Sequence, residues 1–162
     1  MNLHSRTAWK WALAGLAVLV AMSFVLLPDR TKPVTREGLA AARNRWDQAN
    51  IASYDMDLET RGAQVGSYHV EVRDHEVRSI TRDGTPATPN ALEYWTVEGL
   101  FLTIEEELDR AQSWRGRASD AVTDVWLRMR CHPKLGYPVR FVSQVPGRTQ
   151  SVEIHVLQLD PR

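Results

Sequence analysis

Tyr54-Asp55-Met56-Asp57-Leu58-Glu59 decides the reading of this 162-residue chain. Apolar and acidic side chains alternate strictly along it. A period of two places Tyr54, Met56 and Leu58 on one face of a strand and the three carboxylates on the other. A strand that is wet on one side and buried on the other fits an antiparallel sheet covered on a single face. The alternation recurs beyond the turn that runs from Gly62 to Gly66, where Tyr68, Val70 and Val72 interleave with His69, Glu71 and Arg73. Asp74-His75 then makes a tight turn into a third strand near 76–82.

Upstream, Thr35 is an N-cap for a helix over about 36–49, with Leu39, Ala42, Trp46 and Ala49 on one stripe. Downstream, Asp83 to Asn90 reads as a loop by composition. Thr96 caps a second helix over about 97–111, with Val97, Leu100, Phe101, Ile104 and Leu108 on its apolar face and Glu105, Glu106, Glu107 and Asp109 on a face read as solvated surface. The polar stretch 112–123 leads to strands near 124–131, 138–145 and 150–159. The expected fold is α+β: two amphipathic helices packed on an antiparallel sheet of about six strands, in the order α-βββ-α-βββ, over residues 35–160.

The N-terminus reads differently. Arg6 and Lys10 make residues 1–10 a basic n-region, and 17 residues from Trp11 to Leu27 follow without a charge. That length is the short end of a spanning helix, with Trp9 and Trp11 at its edge. The expectation is a transmembrane signal anchor at 11–27, N-terminus cytoplasmic, followed by a proline-punctuated linker at 28–34 and a periplasmic or extracellular domain. The competing reading is cleavage after Ala21-Met22-Ser23 and secretion. Either reading exports the domain.

Formal net charge is zero, but residues 35–111 sum to −7 and residues 112–162 to +4. No segment has the basic, aromatic-interleaved character of a nucleic-acid binder, so nucleic acid is not an expected partner. An acidic and a basic half point to internal pairing or to a complementary partner. The single cysteine, Cys131, excludes an internal disulfide, leaving the apolar core to hold the domain.

Particular residues are familiar in combination: Trp46, Tyr54-Asp55-Met56-Asp57-Leu58, Val70-Glu71-Val72-Arg73-Asp74 with Val77, Tyr94-Trp95-Thr96-Val97-Glu98-Gly99-Leu100-Phe101, and Leu135-Gly136-Tyr137-Pro138-Val139-Arg140. Together, over roughly 39–159, they resemble the bacterial family called domain of unknown function 6174. The resemblance implies export, in that family often as lipoproteins, and no established activity. This chain has no lipobox cysteine, and Cys131-His132-Pro133 stands where the family more usually has an aromatic-Asp-Pro.

No constellation of catalytic residues stands out. Cys131 and His132 are adjacent on a strand and so point to opposite faces, and Cys131 shares the parity of Val125, Leu127 and Met129, which makes it a buried structural thiol. His4, His69, His75, His132 and His155 have no metal-ligand spacing, although His69, His132 and His155 fall on the open sheet face. The glutamates at 105–107 sit in mid-helix, unlike calcium loops. Asp55, Asp57 and Glu59 line one strand face with no cleft between them. No G-x-S-x-G element and no glycine-rich phosphate loop occur. No catalytic, cofactor-binding or metal-binding residue is therefore assigned.

One feature remains. With odd positions of the strand near 124–131 facing the helices, Trp126, Arg128, Arg130 and His132 face outward, joined by Arg140, Val142 and Gln144. Trp126, Arg128, Arg130, His132 and Arg140 form the candidate interaction face, since Trp and Arg are common interface anchors. The opposing reading covers Trp126 with the 112–123 loop or Trp114. The expected function is a membrane-anchored interaction module with an envelope protein as partner. One alternative is a small-ligand carrier or cofactor-free enzyme with a pocket lined by Trp46, Tyr54, Trp95 and Phe101, its ligand unknown. Another is a structural accessory subunit of an envelope complex.

Overall fold

The computed structural model describes residues 31–63, 65–87, 93–115, 126–144 and 151–162. The basic segment 1–10, the span expected at 11–27 and the first part of the 28–34 linker lie outside the described residues. Among the described residues no helix is long and apolar enough to cross a membrane.

Chain order is β1 (Lys32–Pro33), α1 (Arg36–Ala49), β2 (Tyr54–Gly62), β3 (Gly66–Arg73), β4 (Glu76–Arg82), β5 (Thr85–Pro86), a 3-10 turn at Glu93–Trp95, α2 (Val97–Arg115), β6 (Trp126–Cys131), β7 (Pro138–Gln144) and β8 (Val152–Pro161). Among the described residues the strands form one eight-stranded sheet in the order β1-β6-β7-β8-β2-β3-β4-β5, and every neighbouring pair is antiparallel. The α+β class and both meanders are as the sequence implies. Each meander follows its helix, and the sheet is joined where β8, the last strand of the second, pairs with β2, the first strand of the first.

Two strands are additions to the expected six. β1 lies inside the segment read as a linker: Lys32 and Pro33 pair with Met129 and Arg128, and Val34 donates its N–H to the Leu127 carbonyl at 3.0 Å. β5 lies inside the segment read as a loop. Asp83 (φ 51°) and Gly84 (φ 79°) are both left-handed, the backbone of a tight hairpin turn that returns Thr85 and Pro86 onto β4. Both additions are two-residue edge strands containing proline, and the edge of a sheet tolerates the missing N–H.

Each helix begins at the threonine the sequence offers. Thr35 Oγ1 accepts from Gly38 N–H, and Thr96 Oγ1 from Gly99 N–H, each at 3.0 Å. Asn50 ends α1 in the left-handed conformation, φ 48°. The covered sheet face carries Tyr54, Met56, Leu58, Tyr68, Val70, Val72, Ile80, Leu127, Met129, Phe141, Ile154 and Val156, all buried against Leu39, Trp46, Val97, Leu100, Phe101 and Ile104 of the helices. Burying each such side chain stabilises the fold by about 1.5–3 kcal/mol. A bulge opposite Asp57 and Leu58 resets the phase of β8. Leu157 therefore turns outward while Val156 and Leu159 both stay buried.

The acidic flank of α2 is not one solvated face. Asp109 pairs with Arg36 at 2.5 Å and Glu105 with Arg43 at 3.3 Å, joining α2 to α1. Glu107 accepts from the buried Ser143 hydroxyl of β7 at 3.0 Å and pairs with Arg110. Of that run Glu106 points to solvent. The other carboxylates of the run are thus matched by arginines of the same half of the chain.

Candidate functional site

The face of the sheet away from the helices is polar, and among the described residues no element covers it. Its two halves differ in charge. On β2 and β3 stand Asp55, Asp57, Glu59, His69, Glu71 and Arg73; on β6, β7 and β8 stand Trp126, Arg128, Arg130, Arg140, Glu153 and His155.

The acidic half is largely satisfied from within. Asp55 is clamped between Arg73 at 2.6 Å and Arg162 at 2.5 Å. The hydrogen bonds from Arg162, then those from Arg73, hold its carboxyl below the usual carboxylate range against the opposing effect of burial. His69 Nδ1 lies 2.7 Å from Asp57 Oδ1 and its Nε2 lies 3.6 Å from Glu71. The Asp57 hydrogen bond, aided by the charges of Asp57 and Glu71, raises the imidazole above its ordinary value. A histidine with a raised folded pKa stabilises the fold fully below about pH 6.5, its unfolded value, and the contribution is lost as pH rises through the higher folded value. The pair is solvated, so Asp57→Asn is expected to remove only ~0.5 kcal/mol at pH 5.5 and nothing at pH 8.5. Urea midpoints at the two pH values check this; equal losses at both would remove protonated His69 from the account.

The basic half is less satisfied. Trp126 is 55% exposed at the start of β6. Arg128 is committed to the chain entering the domain: its Nε donates to Thr31 Oγ1 at 3.0 Å and its Nη2 to the Thr31 carbonyl at 2.6 Å. Arg130 stands directly across from Arg140, and Arg140 from His155. Arg140 is held by Glu153 at 2.9 Å. Among the described residues Arg130 has no carboxylate within ion-pair reach. Burial, then the charges of Arg130 and Arg140, depress the His155 imidazole below its ordinary value.

The structure brings four of the five candidate face residues together, Trp126, Arg128, Arg130 and Arg140, and draws the fifth away. A bulge after Arg130 ends regular pairing at Cys131. His132 instead organises the turn into β7: its Nδ1 accepts from Leu135 N–H at 3.0 Å, and its ring stacks on Tyr137, centroids 5.0 Å apart. His69 and His155 remain on the open face, on β3 and β8, with β2 between them. Cys131 is half-buried on the covered side, where desolvation pushes its thiol up to about 11 against a small opposing effect of Arg45. That is the behaviour of a structural thiol rather than a nucleophile. Among the described residues no group of three or more His, Cys, Asp or Glu is placed to hold a metal ion.

Among the described residues Trp46, Tyr54, Trp95 and Phe101 are packed against other rings or fully buried and do not line one shared cavity. Trp46 meets Tyr54 edge to face at 5.6 Å, Trp95 stacks on Tyr68 at 4.1 Å, and Tyr54 and Phe101 are fully buried. Trp46 Nε1 donates to Glu98 at 2.9 Å, and the Tyr54 hydroxyl accepts from Val97 N–H at 3.0 Å and donates to Glu98 at 3.4 Å. Burial, then the Glu98 charge, push the Tyr54 phenol far up. A cleft of about 340 Å³ opens beside Trp95 alone of these four, between Thr60, Val152 and Ile154 of the sheet and Tyr94 and Thr103.

These features define a class: an α+β domain of two helices on one face of an antiparallel sheet, with a charge-divided opposite face and a filled core. Residues 38–115 match the model of the family described as Family of unknown function (DUF6174), and the chain resembles that family over this span. The match runs from α1 to the end of α2, so Leu135-Gly136-Tyr137-Pro138 lies outside it. No curated protein and no solved structure gives a significant match.

Proposed function

We propose that this chain is a membrane-tethered, extracytoplasmic binding module, anchored through residues 11–27, that docks an envelope protein on the basic half of its open sheet face. The observation that carries the reading is the exposed Trp126 ring in line with Arg128 and Arg130, beside Arg140, on a sheet face that other described elements leave open. An exposed indole on a rigid sheet supplies large contact area with little loss of rotamer freedom, and the guanidinium groups beside it add charge-assisted hydrogen bonds. The unequal charge of the two halves adds orientation to such an encounter.

The test is site-specific photo-crosslinking in the native cell envelope from position 126, with position 106 as control, since Glu106 is exposed on the helix side. A discrete adduct is expected from 126 and not from 106, and Arg130→Ala is expected to reduce it about tenfold. Arg130 is the better variant because Arg128 also ties β1 to β6 through Thr31. Equal labelling at both positions, or none at 126, would sink the reading.

A further inference from the structure

We infer that Arg130, Arg140 and His155 form a seat for a carboxylate of the docking partner, so that the segment reaching this face is acidic. The inference rests on the docking function proposed above and names the chemistry of its contact.

The argument starts from register. Arg130 on β6, Arg140 on β7, His155 on β8 and Glu59 on β2 occupy one row across the sheet, each directly opposite the next. Directly opposed side chains in an antiparallel sheet have Cβ atoms about 4.5–5.5 Å apart, and like charges so placed are destabilising. Two arginines face each other here with a histidine beyond them. One internal carboxylate, Glu153, is spent on Arg140 at 2.9 Å. Glu59, at the far end of the row, lies 3.3 Å from Arg61. Arg130 is left facing a second cation. Elsewhere Arg36, Arg43, Arg73 and Arg162 each meet a carboxylate, and Arg128 is satisfied by Thr31 instead. Two directly opposed arginines that share one carboxylate are a local arrangement in which a functional demand is to be sought.

The histidine sits in the same field. Burial, then Arg130 and Arg140, disfavour protonation of His155, and Glu153 and Glu59 favour it; the imidazole stays below its ordinary value. A carboxylate seated against the two guanidinium groups would cancel that field and supply an acceptor for the ring N–H. The arginine fork takes a carboxylate through paired hydrogen bonds. Binding would then draw a proton onto His155, and affinity would rise as pH falls.

The experiment follows the His155 ring by NMR in the full-length chain, titrated between pH 5 and 8 with and without N-acetyl-hexaglutamate, with inorganic phosphate as a separate arm. Hexaglutamate is expected to move the His155 titration upward in the wild type. In Arg130→Gln the shift is expected to vanish and affinity to fall about tenfold. Arg78→Gln, on β4 away from the row, is expected to change neither. Should Arg130→Gln not fold, Arg130→Lys keeps the charge without the fork and is expected to weaken the response. A response to phosphate alone, the same response in Arg130→Gln, or no response would overturn the seat. If the seat fails while crosslinking from position 126 persists, the docking face stands without it; if both fail, so does the docking function.

Discussion

Replacing Gly136 by alanine is expected to destabilise the domain by roughly 3–5 kcal/mol, a large part of the stability of a domain this size. Two effects add. The backbone is left-handed at φ +84°, where an L side chain is strained. A Cβ would also collide with the carbonyl oxygen of Ala42 and stand 2.9 Å from Arg45 Cβ and 3.1 Å from the Trp46 nitrogen, all on the backbone or stem of α1. The turn cannot retreat, because Gly136 N–H donates to the His132 carbonyl at 2.9 Å and His132 N–H to the Tyr137 carbonyl at 2.8 Å. Gly84 provides the control. It too is left-handed, at φ +79°, but a Cβ there meets nothing within 4 Å. Gly84→Ala is therefore expected to cost only about 1 kcal/mol. Urea denaturation of both variants separates the effects, and similar midpoints would refute the claim that close approach to α1 is what demands glycine at 136.

That comparison also shows what the sequence could and could not disclose. Periodicity was sufficient wherever one face of an element is wet, so α1 and the alternating strands β2 and β3 are readable residue by residue. It failed at β1 and β5 because proline suppresses a strand reading, although an edge strand is where proline is tolerated. Asp83-Gly84 was the signal for the second of these, since an Asp-Gly pair favours a tight hairpin. The open face was readable for Trp126, Arg128, Arg130 and Arg140 because regular pleat carries parity along a strand. It misplaced His132, since the bulge after Arg130 cannot be seen in an alternation that ends there. The row Arg130, Arg140, His155 was beyond reach for a further reason. It depends on the register of three strands, and the sequence between β7 and β8 gives no residue-level clue to it. Nor did the acidic face of α2 announce its partners, because Arg36 and Arg43 lie more than sixty residues earlier.

The second large effect is expected at Trp46. It is 4% exposed, meets Tyr54 and Tyr137 edge to face at 5.6 and 6.2 Å, and donates its indole N–H to Glu98. Trp46→Ala is expected to cost about 3–5 kcal/mol through the cavity and the lost ring contacts. Trp46→Phe isolates the polar part: it keeps an aromatic ring but leaves Glu98 without its indole donor, with an expected cost of about 1–2 kcal/mol. Glu98→Ala, conversely, leaves a buried N–H unpaired and removes the acceptor of the Tyr54 hydroxyl. A double-mutant cycle of Trp46→Phe and Glu98→Ala should therefore show a coupling of about 1 kcal/mol, measured by denaturation at pH 7, where additive losses would count against the bond. The coupling matters because of what it connects. Glu98 opens α2 beside the Thr96 cap, Tyr54 opens β2, and Tyr137 follows the turn that presses Gly136 against α1. Segments far apart in the chain meet at one indole. Trp46, Glu98, Tyr54 and Tyr137 thus belong to one joint between the helices and the sheet.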